Sequence, residues 1–154
     1  MTFRKTAKRN FPPKALNKGE IIFTSEIASS ADLNEEQIKL APIIFQRKIE
    51  KQADIRVTVV GEQVFAASID SQALLQTSTD WRHSSGEELN HTIFDLDDNT
   101  AKLCVDMVKH FGLRFGAIDL ILDKNDELWF LECNPNGQWA WIENRTGLPI
   151  ASAI

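Results

Sequence analysis

The sequence predicts an α+β fold, an antiparallel sheet with packed helices, on three observations. Residues 54–69 and 116–137 each read as a β-hairpin, with apolar and polar residues alternating about a short turn. Residues 98–111 carry apolar side chains at helical spacing and end at Gly112. Strands that succeed one another through tight turns pair antiparallel, and such hairpins mixed with helices give α+β.

Taken in order, residues 1–19 read as an irregular basic segment. Residues 1–18 hold Arg4, Lys5, Lys8, Arg9, Lys14 and Lys18 and no acid, and Pro12-Pro13 breaks any helix. Residues 20–154 read as one partial domain. Ile21–Thr24 is a short strand candidate. Asp32–Leu40 can form a helix, with Ser30 or Asp32 as cap, Glu35 and Glu36 in the first turn, and Pro42 as its stop. Ile43–Ile49 is a second strand. In the hairpin of 54–60 and 63–69, turning at Gly61-Glu62, Ile55, Val57 and Val59 share one side, and Asp54, Arg56 and Thr58 the other. Residues 71–92 form a long polar loop, a length common in functional segments. After the helix of 98–111 comes the hairpin of 116–137, turning at Asn125-Asp126. Pro135–Gly137 is a turn, and 138–144 is a short helix containing Trp139 and Trp141.

Composition narrows the function classes. A chain of 154 residues, 43% apolar and 25% charged, suits a soluble domain with a real core. The net charge of −5 argues against a general nucleic-acid binder. No run is long and apolar enough to span a membrane, and the basic start lacks a secretory signal's apolar stretch. Cys104 and Cys133 each fall on an apolar face, so buried free thiols in a reducing cytoplasm are expected.

The hairpin of 116–137 carries the chemistry. Folded about Asn125-Asp126, it sets Asp119 opposite Glu132, Ala117 opposite Asn134 and Asp123 opposite Leu128. Ile118, Leu120 and Leu122 share the other face with Trp129, Leu131 and Cys133, an apolar face that reads as core. Like charges directly opposite on a sheet are destabilising, and a cation between them removes the difficulty. Two carboxylates and an amide oxygen suit Mg²⁺ completed by water and phosphate. A solvated strand face with no ligand has the same alternation, and spacing alone leaves both readings open. Lys14, Arg56 and Asp80-Trp81-Arg82 are further candidates, as cations and neighbours for a phosphate-bearing ligand; equally, Arg56 could pair with Asp54, and Trp81 could be core. There is no Walker motif and no dinucleotide glycine fingerprint. His83, His91 and His110 lack metal-ligand spacing, and Ser84-Ser85-Gly86 lacks a nucleophile elbow.

The run from Phe115-Gly-Ala-Ile-Asp119 to Phe130-Leu-Glu-Cys-Asn-Pro-Asn-Gly-Gln-Trp139 resembles the closing metal motif of the ATP-grasp superfamily, with the microviridin-type (graspetide) peptide maturases as the nearest branch. It is more distantly similar to ribosomal-protein glutamate ligases and D-alanine–D-alanine ligases. Ala41–Gly61 resembles the family's hinge and adjoining strand, and Asp80-Trp81-Arg82 a motif of the maturase branch. The resemblance runs in order from about residue 11 to the end. It implies that Asp119, Glu132 and Asn134 hold Mg²⁺, and that Lys14 meets the nucleotide phosphates. Gln46, Arg47 and Ile49 would line the adenine hinge, and Asp54 would sit near the ribose. Arg56 would face the γ-phosphate or acyl-phosphate, with Arg82 and Arg114 on substrate or phosphate. The implied activity is an ATP- and Mg²⁺-dependent carboxylate–amine or carboxylate–hydroxyl ligation on a ribosomal precursor peptide or another carboxylate substrate. In that family a further N-terminal domain and a glycine-rich lid precede the hinge; Ala15–Gly19 is a poor match to the lid. A missing N-terminal half, a partner chain or a second copy in a homodimer is therefore expected. The alternative is a non-catalytic nucleotide- or peptide-binding module derived from such a ligase.

Overall fold

In a computed structural model, the structure describes residues 5–8, 24–27, 39, 44–81 and 89–154. Its centre is a five-stranded antiparallel sheet in the order β6-β5-β4-β7-β8. The strands are β4 (Lys51–Val60), β5 (Gln63–Ile69), β6 (His91–Ile93), β7 (Phe115–Asp123) and β8 (Leu128–Asn134). A three-stranded sheet, β2-β1-β3, comprises β1 (Lys5–Lys8), β2 (Thr24–Ile27) and β3 (Phe45–Arg47). Three helices come after β6: α1 (Asp98–His110), α2 (Ala140–Thr146) and α3 (Ile150–Ala153).

The β4/β5 hairpin forms as the alternation reads, with Val59 opposite Val64 and Gly61 turning at a φ of 61°, a conformation that glycine adopts without steric penalty. Ile55, Val57 and Val59 pack with Ala66, Ile118 and Leu120 against Cys104, Val105 and Val108 of α1. That helix starts where the Asp97 carboxylate accepts from the Thr100 N–H at 3.0 Å, and it stops at Gly112, whose φ is 70°. On the opposite face Phe65 and Ala67 pack with Ile142 of α2 and Ile150 of α3. Each fully buried Ile or Val contributes roughly 1.5–3 kcal/mol, so both faces hold the sheet.

Several expectations are corrected. β1 places a strand inside the stretch expected to be irregular. β3 covers only three residues of the strand expected over 43–49, and β4 begins at Lys51 rather than Asp54. β2 starts at Thr24, the last residue of the strand expected over 21–24, whose other residues lie outside the described ones. Of the helix expected over 32–40 only Lys39 is described, and it is helical. Trp139 caps α2 rather than lying inside it. In β7/β8 a bulge comes after Asp119. Asp119 pairs with Glu132 and Ala117 with Asn134 as expected, but beyond the bulge Leu120 pairs with Phe130 and Leu122, not Asp123, with Leu128. One extra residue in β8 reverses the facing of the strand on the far side of the bulge. Trp129 and Leu131 therefore leave the expected core face, whereas Leu128 and Cys133 pack on it. Among the described residues no helix is long and apolar enough to cross a membrane.

Candidate functional site

The pairing of β4, β7 and β8 lays three rows of residues across one face of the sheet. Thr58 lies beside Ala117, which pairs with Asn134; Arg56 lies beside Asp119, which pairs with Glu132; Asp54 lies beside Ile121, which pairs with Trp129. Asp54, Arg56 and Thr58 are all buried, so this is not a solvated strand face. Asp54, Asp119 and Glu132 line a cleft with about 730 Å³ of empty space, part of it open to solvent. Its other walls are the connection Gln46–Ile49, the loop Ser78–Trp81, and Lys51, Ile121 and Leu131. The cleft is thus lined by polar and charged groups together with apolar Ile49, Ile121 and Leu131.

Two buried ion pairs lie at the cleft. Lys51 Nζ lies 2.6 Å from Asp54 Oδ2 and donates also to the Thr79 carbonyl at 3.4 Å. Arg56 Nε lies 2.9 Å from Asp119 Oδ1, and both side chains are largely buried. The N–H is not aimed at that oxygen, so the contact is an ion pair and Nε has no hydrogen-bond partner among the described residues. The Thr58 hydroxyl on the same face is similarly without one. The Arg56 guanidinium carbon stands 5.8 Å from the Trp81 ring centroid and 5.7 Å from that of Trp141, and the two indoles lie 5.1 Å apart. Gly137 closes above this group. A Cβ there would fall 2.3 Å from Ala117 Cβ and 3.3 Å from Arg56 Nη1, so only glycine fits. The turn before it is tied by Asn134 Oδ1, which accepts from the Asn136 N–H at 2.8 Å.

Behind the aromatic pair, His91 meets Trp141 edge-on at 5.4 Å, and its Nδ1 lies 2.7 Å from the Leu89 carbonyl oxygen. Burial, partly opposed by that hydrogen bond and aided by Arg145, lowers its pKa below the usual histidine value. Burial pushes the Cys104 thiol up to about 11, with Cys133 and Asp97 adding to it, and both cysteines are free. A thiol so raised is a poor nucleophile at neutral pH.

Of the residues expected at the site, Gln46, Arg47, Ile49, Asp54, Asp119 and Glu132 meet in the cleft, and Arg56 adjoins it through Asp119. Asn134 stands one row away on an exposed strand end. Arg114 is elsewhere: it lines a second cleft with Glu62, Asn136 and Trp139. Lys14 and Arg82 lie outside the described residues. Lys51, Leu131 and Trp141 were not anticipated here. Lys51 sits in a charged run that reads as solvated, and only its spacing of three from Asp54 hinted at the pair.

The residues fit Mg²⁺ and a nucleotide by donor chemistry. Asp119 and Glu132 offer hard oxygen on adjacent strands, and the described residues hold no cluster of three or more His, Cys, Asp or Glu able to enclose a metal. Mg²⁺ suits such a partial shell because it keeps water and phosphate oxygens as ligands. The Arg56 guanidinium, ion-paired with Asp119 beside it, adds positive charge of the kind an anionic ligand needs.

Comparison with known proteins agrees with this geometry. A RiPP-associated ATP-grasp ligase from Chryseobacterium gregarium, solved with ADP and a leader and core peptide, superposes with a TM-score of 0.76 at 30% identity, over 92% of this chain and 43% of that one. The macrocyclase MdnC of Microcystis aeruginosa MRC, solved with its precursor peptide MdnA, gives 0.75 at 33% identity, over 98% and 46%. PsnB, solved with a variant of its minimal precursor, Mg and ADP, gives 0.69 at 22% identity, over 97% and 43%, a likeness of fold. The chain therefore spans less than half the length of these structures. No curated protein matches it. The model of the RimK-like ATP-grasp domain matches residues 19–154, the stretch that holds both walls of the cleft and the carboxylate pair, and the chain belongs to that family.

Proposed function

We propose that this chain is the catalytic part of an ATP- and Mg²⁺-dependent ligase that joins a carboxylate of a ribosomal precursor peptide to an amine or hydroxyl through an acyl-phosphate. The observation that carries the reading is the row of Arg56, Asp119 and Glu132, whose two carboxylates line the same cleft as the Gln46–Ile49 connection. Bound Mg²⁺ would bridge phosphate oxygens and act as a Lewis acid there. Asp119 and Glu132 would hold it, with Asn134 as a further oxygen donor. Gln46, Arg47 and Ile49 would seat the base against Ile121 and Leu131. Asp54, already tied to Lys51, would meet the ribose. Arg56, buried and fixed before the ligand arrives, would stabilise charge on the transferring group without reorganising. Lys14 and Arg82 remain proposed phosphate or substrate contacts. Arg114 is left out of this centre because it lines another cleft.

The chain spans less than half the length of these relatives, and a further N-terminal half, a partner chain or a second copy remains a proposal. Two free thiols suit a reducing cytoplasm. The second reading is a nucleotide-binding module without turnover. ADP release in the presence of Mg·ATP and an acidic precursor peptide separates the two. Release that disappears in Asp119→Ala and Glu132→Ala supports the ligase; nucleotide binding without release supports the module.

A further inference from the structure

The aromatic pair is absorbed neither by the metal nor by the nucleotide reading. Trp81 belongs to the loop wall of the cleft and Trp141 to α2, yet their rings lie 5.1 Å apart, and the Arg56 guanidinium carbon stands 5.8 Å from one and 5.7 Å from the other. Indole faces attract a cation through their quadrupole, more strongly when both are withdrawn from water. The side chain of Arg56 is 9% exposed, its Nε has no aligned acceptor among the described residues, and Gly137 leaves it no spare room on the side of Nη1. Asp119 sets the charge beside Nε, and the two rings, each with its centroid within about 6 Å of the guanidinium carbon, restrict its orientation further.

We infer that Trp81 and Trp141 are positioning residues that fix the Arg56 guanidinium in the orientation in which it meets a nucleotide's phosphates. The inference rests on the ligase reading for the identity of the anion, but not for the aromatic hold itself. An arginine with rotamer freedom must lose it on binding, whereas a held one has lost it on folding. Trp81 also lines the cleft, so the loop wall and Arg56 share a neighbour.

The test uses the full chain and two readouts. By NMR, the Arg56 Nε–H resonance should be shifted upfield by the ring currents, should return toward the ordinary arginine position in Trp141→Leu and Trp81→Leu, and should stay largely shifted in Trp141→Phe and Trp81→Phe. By calorimetry with Mg·ATP, each Leu variant should bind about 2- to 30-fold more weakly and the Phe variants close to wild type. In a double-mutant cycle, Trp141→Leu should cause little further loss once Arg56→Gln is present. An unshifted wild-type resonance, or a cycle in which the two losses simply add, overturns the inference. The Phe variants retain the packing, so a general failure to fold is told apart from a lost orientation. A wild-type chain with no affinity for Mg·ATP sinks the ligase reading, and the aromatic hold is then judged by the resonance alone.

Discussion

Gly137→Ala perturbs the site with a single methyl group. That Cβ would fall 2.3 Å from the Ala117 Cβ, whereas carbon atoms in contact sit about 3.5–4.0 Å apart. The overlap exceeds an ångström. Neither partner can rotate away, since both are β-carbons fixed to backbone and Ala117 is wholly buried in β7. The turn after β8 must therefore lift, taking with it the Asn134–Asn136 tie and the ceiling over Arg56. Overpacking of this kind costs about 1–3 kcal/mol. For a chain of this length that is a fall in Tm of roughly 2–12 °C. The assay is thermal denaturation, then calorimetric titration with Mg·ATP. Gly147→Ala is the control: its φ is 75° and an added Cβ meets nothing within 4 Å, so it should lose stability through strain alone and keep its nucleotide affinity. Gly137→Ala should lose both. A Tm within a degree of wild type together with unchanged affinity would refute the steric reasoning.

Buried or hydrogen-bonded charges give three further expected outcomes. Lys51→Met leaves Asp54 buried without its 2.6 Å partner and should destabilise by about 3–5 kcal/mol in chemical denaturation, while Lys102→Ala, from an exposed pair on α1, should change stability by less than about 1 kcal/mol. Asp123 accepts from the Glu127 and Asn125 N–H groups and from Trp129 Nε1, and these bonds, the Glu127 backbone first, hold its carboxyl below the usual aspartate value. A depressed folded pKa gives stability that is present above the unfolded value near about 4 and is lost as pH falls through the folded one, so Asp123→Asn should flatten the acid limb of a Tm–pH profile. His91 is depressed by burial, so the unfolded chain takes up its proton first; stability should fall as pH drops below about 6.5, and His91→Gln should remove that portion of the profile.

The fold was legible where the alternation of the sequence is unambiguous. In β4, Ile55, Val57 and Val59 alternate with Asp54, Arg56 and Thr58, so the facing of every residue could be read, and a one-residue slip would have buried the wrong set. Asp119 opposite Glu132 was legible for the same reason. Leu128 to Leu131 are four apolar residues in a row, which carry no sign of facing, and the bulge that sends Trp129 and Leu131 away from the core was therefore invisible. Lys51 was hidden because an ion pair at spacing three looks like any charged run until burial is known. Arg114 came from the family resemblance alone; it lies five residues from Asp119, which along an extended strand is roughly 17 Å. Trp81 and Trp141 meet only through the tertiary fold, 60 positions apart, and no local pattern announces such a contact.

The central claim is that one end of the cleft binds a magnesium-charged nucleotide through the carboxylates of β7 and β8. Calorimetric titration of the chain with Mg·ATP, alongside Asp119→Ala and Glu132→Ala, tests it most directly. The expected result is saturable binding by the wild type that requires Mg²⁺ and weakens at least tenfold in either variant, a loss of about 1.4 kcal/mol. Absence of binding at millimolar Mg·ATP, or affinity indifferent to both carboxylates, would contradict it.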